Sequence, residues 1–141
     1  MSAAPAIGEY MAALLAQAGG FIKKDDCAPA QREPTRFREL SDEKRRALIA
    51  RDSAFGRIIC RCETVTEGEV LEAIRGPAGA VDLDGIKRRV RAGAGRCQGG
   101  FCGPKVAELL AGELGVPIEQ VTKCGGDSRI LVGRTGKEGW S

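Results

Sequence analysis

The chain opens on a repeating apolar stripe. Between residues 5 and 18, Ile7, Tyr10, Met11, Leu14 and Leu15 recur at three- and four-residue intervals, which predicts an amphipathic helix. Pro5 suits its first turn and Gly19-Gly20 its end. The stripe needs a partner that the next stretch does not offer, because residues 21–40 are charged and irregular, with Pro29 and Pro34 preventing regular structure. Residues 1–40 therefore read as an arm. Ser41, followed by Asp42 and Glu43, predicts the cap and acidic first turn of a short helix running to about Arg51.

The texture changes at Arg57. The run RIICRCE is short, apolar and β-like, and it delivers Cys60 and Cys62. Thr66 and Glu69 have capping-box spacing, with Val70, Leu71 and Ile74 continuing one helical face until Gly76-Pro77. Asp82 or Asp84 caps a further helix bearing Leu83, Ile86 and Val90, with a stop at Gly93. The loop GAGRCQGGFCG carries Cys97 and Cys102. Pro104 then opens a helix with Val106, Leu109, Leu110 and Leu114 inward and Gly115 at its end. Pro117 to Val121 can make one more turn, and Arg129 to Val132 is a plausible strand. These elements predict a mostly α protein: a small helical domain with two cysteine-bearing loops, a helical and irregular arm before it, and a short strand-like tail.

Composition narrows the chemistry. With 141 residues there is room for one ordinary domain, or a small domain plus an arm, and not for a complete flavin or nicotinamide dehydrogenase. Aromatic residues are 4% and there are 20 glycines, so the core must be small and aliphatic. A net charge of +3, with few aromatic rings to stack bases, argues against a nucleic-acid partner. Histidine is absent, which excludes Ser-His-Asp and Cys-His catalysis, Cys-His zinc sites, Rieske centres and His-ligated haem. No apolar run reaches the roughly 20 residues of a membrane span. Without a basic region and apolar signal stretch at the N-terminus, the expectation is a cytoplasmic protein, where closely spaced cysteines serve as metal ligands or redox groups more often than as disulfides.

Cys60-x-Cys62 is followed, after 34 residues, by Cys97-x4-Cys102. Two close pairs drawn from separate loops are how a chain assembles a four-thiolate site. A single residue between Cys60 and Cys62 is shorter than the two to four usual in zinc pairs, and Gly99, Gly100 and Gly103 let backbone N–H groups approach sulfur without a Cβ in the way. The helices after Thr66 and Pro104 would aim positive dipole ends at the negative centre. Structural zinc, two disulfides and a thiol switch remain alternatives on the same sulfurs. Cys27 and Cys124 stand alone. Lys87, Arg88, Arg89, Arg91 and Arg96 form a basic run that reads as a solvated helix face, or as a face that tunes the centre or docks an acidic partner. No G-x-G-x-x-G follows a strand, and Gly133 to Lys137 is too short for a phosphate loop.

The stretches RIICRCETVTEGEVLEAI and LDGIKRRVRAGAGRCQGGFCGPKVAELLAGELGVP resemble the bacterioferritin-associated-ferredoxin-like 2Fe-2S domain. The likeness is to the version at the C-terminus of FAD-dependent oxidoreductases similar to anaerobic glycerol-3-phosphate dehydrogenase, and it covers roughly residues 56–124. It implies one 2Fe-2S cluster on Cys60, Cys62, Cys97 and Cys102. Gln98, Gly99, Gly100 and Phe101 become candidate N–H donors, with Phe101 as an apolar lid. More weakly, SAAPAIGEYMAALLA resembles the helix closing the flavin domain of those enzymes, and RFRELSDEKRRALIARD the connector after it. The expected division is residues 1–55, helix and connector; 56–124, cluster domain; and 125–141, tail. On this reading FAD sits on an adjoining domain or subunit outside this chain, the chain has no catalytic site of its own, and its role is electron transfer. The competing expectation is a scaffold stapled by zinc or a cluster that docks a partner through its basic face.

Overall fold

The computed structural model describes residues 3–19 and 34–133. Cys27, Pro29 and most of Gly133 to Lys137 lie outside the described residues. The chain forms two compact units, Met1–Arg32 and Glu33–Ser141. In the first, helix α1 spans Ala4–Gly19 as its periodicity predicts, and none of its side chains is buried.

The second unit begins with a 3₁₀ turn at Phe37–Glu39 and helix α2, Asp42–Arg51, whose Ser41 cap accepts the Lys44 N–H. Asp52 caps another 3₁₀ turn, Ser53–Gly56, and this brings Phe55 into the core. The ring of Phe55 lies on Gly68, where a Cβ would come within 2.7 Å of it. Strand β1, Ile58–Cys60, pairs antiparallel with β2, Val65–Thr66, with an irregular register between Ile58 and Cys60. Helix α3, Glu67–Arg75, starts from a complete capping box: Thr66 Oγ1 accepts the Glu69 N–H while the Glu69 carboxylate accepts the Thr66 N–H.

Asp82, rather than Asp84, caps helix α4, Leu83–Val90, by accepting the Gly85 N–H at 2.6 Å. This helix ends three residues ahead of Gly93, because Arg91 adopts the left-handed conformation at φ +66° and closes it. Helix α5, Gly103–Leu114, carries Pro in its first turn and a left-handed Gly115 cap. Val70, Ile74, Ile86, Val106 and Leu110 from α3, α4 and α5 form the aliphatic core, with Cys60 and Cys102 at its edge. Leu114, expected inward, is exposed, since the last turn of α5 runs past the packed face. The expected tail strand is reduced to one antiparallel bridge, Thr122 to Arg129. Backbone bonds from Leu83 and Asp84 to the carbonyls of Thr122 and Lys123 fasten this segment to α4.

Candidate metal centre

Strand β1 ends on Cys60, which is 1% exposed. The turn that follows carries Cys62 outward to the surface and bends back through Thr64 at φ +53°. The second loop folds by a series of left-handed residues, Gly93, Gln98 and Gly99 at φ +85°, +49° and +89°. The Gln98 N–H donates to the Gly95 carbonyl, and Gln98 Nε2 donates to the Ala94 and Gly95 carbonyls. Gly93 and Gly99 pack backbone to backbone. At Gly95 a Cβ would collide with Cys62 Cβ, so a glycine is what lets the two cysteine loops close on each other. The loop ends at Cys102, 2% exposed, immediately before α5.

The two cysteine loops meet at this end of the fold, with Cys102 beside Cys60 and near Cys97. Cys62 Sγ and Cys97 Sγ are 3.6 Å apart. A tetrahedral ion with sulfur at ~2.3 Å spaces its ligands about 3.8 Å apart, so this separation fits one edge of such a site. Burial pushes the Cys102 thiol up to about 11, with the neighbouring Cys60 adding to it. The Cys97 thiol is held below its ordinary value by the N–H groups of Phe101 and Gly99, then by Cys62 and the Gly100 N–H. Among the described residues no three His, Cys, Asp or Glu side chains converge on a single metal position. Cys62 is exposed and Cys97 half-buried, whereas Cys60 and Cys102 are both buried. With soft thiolate donors and N–H groups aimed at one of them, the residues fit a 2Fe-2S cluster.

Several expectations change here. Phe101 is no lid: its N–H faces Cys97 while its ring stands in solvent, 87% exposed. Gln98 spends its N–H on the Gly95 carbonyl and Gly100 on the Cys97 carbonyl, which leaves Gly99 and Phe101 as the main donors to sulfur. Most of the basic run is engaged within the molecule. Arg88 lies near Asp82, Arg89 donates to the Gly85 and Ala78 carbonyls, and Arg91 pairs with Glu63. Cys124 contacts Ser128 Oγ in a separate turn.

Glu63 is the feature the sequence reading missed. Its carboxylate receives Arg91 Nε at 2.8 Å and Arg38 Nη1 at 3.3 Å, and it lies against Gly95. It thereby ties the first cysteine turn to the second and to the segment before α2. Its place directly after Cys62 was a usable signal, but partners 25 and 28 residues away leave no local trace.

Residues 58–112 match the BFD-like 2Fe-2S binding domain. The chain is 48% identical over 139 residues to a glycerol 3-phosphate dehydrogenase of Caloramator mitchellensis, an alignment covering 98% of this chain and 29% of that protein. It is 49% identical over 45 residues to hydrogen cyanide synthase subunit HcnB of Pseudomonas aeruginosa, covering 32% and 9%. Against an opine oxidase subunit from Rhizobium meliloti it is 43% identical over 58 residues, covering 41% and 12%. The chain thus spans less than a third of the length of each of these relatives. No solved structure matches it.

Proposed function

We propose that this chain is a one-electron transfer module of a flavin-dependent oxidoreductase of the glycerol-3-phosphate dehydrogenase type. Its cluster would be held by Cys60, Cys62, Cys97 and Cys102. The observation that carries this reading is the meeting of the two cysteine loops, with Cys62 and Cys97 Sγ at 3.6 Å and the Cys60–Cys102 pair buried behind them. A 2Fe-2S cluster, when bound, supplies reversible one-electron chemistry. The protein's part is to hold it and set its potential. Gly99 and Phe101 donate N–H groups toward the Cys97 sulfur, Gly95 permits the loops to close, and the core side excludes water from Cys60 and Cys102.

The flavin would lie on an adjoining domain or subunit, and the electron would pass between it and the cluster. The relatives' names support a substrate class of small hydroxy or amino compounds oxidised at that flavin. Residues 56–124 would be the cluster module, with residues 34–55 as its packed connector. No helix among the described residues is long and apolar enough to cross a membrane, and free thiols suit a reducing compartment such as the cytoplasm. The engagement of Arg88, Arg89 and Arg91 within the molecule weighs against a scaffold that docks through its basic face.

Anaerobic reconstitution with iron and sulfide tests the reading. Visible absorption and a paramagnetic resonance signal on reduction are expected, and both should disappear in Cys97→Ala, which removes the ligand atom. A colourless protein binding zinc in one-to-one ratio would overturn it.

A further inference from the structure

The two pairs of sulfurs occupy different surroundings. Cys62 is exposed and Cys97 half-buried, 3.6 Å from it, whereas Cys60 and Cys102 belong to the hydrophobic core. In a 2Fe-2S cluster each iron completes its tetrahedron with two protein sulfurs and two bridging sulfides, so four cysteines must divide two and two. Three divisions are possible. Only one joins the sulfurs that the structure already places as neighbours.

We infer that Cys62 and Cys97 hold one iron and Cys60 and Cys102 the other, and that the electron taken up on reduction resides on the iron of Cys62 and Cys97. This rests on the four-cysteine reading above. The step converts a diferric centre to one ferric and one ferrous iron. The one electron comes from the reduced flavin of the adjoining domain, or from dithionite in the test below, and no bond to iron is made or broken.

Charge decides where that electron stays. Added negative charge is stabilised by water and by hydrogen-bond donors, and it is penalised by apolar burial. The N–H groups of Phe101 and Gly99 face the Cys97 sulfur, while that of Gly100 is taken by the Cys97 carbonyl. Arg61 and Arg96, exposed and next in sequence to Cys62 and Cys97, make no ion pair among the described residues. Working the other way, α5 begins beside Cys102 and directs its positive end there. That is one dipole end, on a sulfur sealed among Val106, Val65 and their neighbours, against two N–H donors and open solvent at the other pair. The balance favours the exposed iron.

The test uses the full chain reconstituted anaerobically with iron-57 and sulfide, reduced by dithionite, and read by Mössbauer spectroscopy. Serine leaves an oxygen ligand, so each Cys→Ser variant perturbs only the iron to which it is bound. Cys62→Ser and Cys97→Ser should each change the ferrous quadrupole splitting and leave the ferric signal as in wild type, and Cys60→Ser should do the reverse. Perturbation of different irons by Cys62→Ser and Cys97→Ser would overturn the pairing. Perturbation of the ferric iron by both would overturn the placement of the electron. Should serine variants lose the centre, the reduced wild type still decides. Contact-shifted β-protons of the cysteines following Arg61 and Arg96 should move further from the diamagnetic range on warming, as on ferrous iron, and the opposite trend would refute the inference. If the wild type takes up no cluster at all, the four-cysteine reading itself fails, before any variant is compared.

Discussion

The Glu69 carboxylate accepts the backbone N–H of Phe37, 32 residues earlier, at 3.0 Å. Its other oxygen receives the Thr66 N–H at 2.7 Å and the Thr66 hydroxyl at 2.8 Å. The side chain is buried, so three donors and one acceptor depend on each other away from water. Glu69→Ala would strip those donors of their partner and should lower unfolding stability by about 2–3 kcal/mol, the scale of buried hydrogen bonds to a charged group. Urea denaturation would read the loss. Hydrogen exchange would show the Phe37 amide losing protection ahead of the α5 core; an unchanged midpoint would mean that the contact contributes nothing.

Gly95 faces a different limit. A methyl group there would overlap Cys62 Cβ, so Gly95→Ala must push the cysteine loops apart. Overpacking of this kind costs about 1–3 kcal/mol. The larger effect should fall on the centre, with cluster uptake on reconstitution dropping well below that of wild type while the far-ultraviolet helical signal persists. Full uptake would show that the loops tolerate the separation.

Acid should weaken the fold through its paired carboxylates. Arg57 holds the Glu67 carboxyl below its ordinary value of 4.5, and Arg75 does the same for Glu113. The folded chain therefore binds fewer protons than the unfolded chain in this range. The stabilisation is complete above the ordinary value and is lost as pH falls through the lower folded values. Both pairs are exposed and each contribution is small. The urea midpoint should decline below about pH 4.5, and in Glu67→Gln it should decline less steeply. An identical slope in the variant would remove this pair from the explanation.

Local chemistry made much of this molecule legible. Ser41, Thr66 with Glu69, and Gly115 act within one helical turn of their own backbone, and they cap as their spacing predicts. The two cysteine pairs announced themselves by spacing and by the glycines beside them. What escaped depends on contacts made across the fold. Phe101 was legible as an N–H donor, but nothing near it in the chain indicates that its ring is sent outward. Leu114 continues the apolar period of α5 past the point where its neighbours stop. Arg91 reads as one more member of a basic run, yet it closes α4 in a left-handed conformation and pairs with Glu63.

Residues 37–45 grip the domain twice. Phe37 is held at the cap of α3, Arg38 reaches Glu63 beside Cys62, and Arg45 clasps the Phe37 and Arg38 carbonyls with its guanidinium over the Phe37 ring. This short clasp therefore fastens the segment before α2 to the first cysteine turn by side chains alone, a tether that runs outside the aliphatic interior.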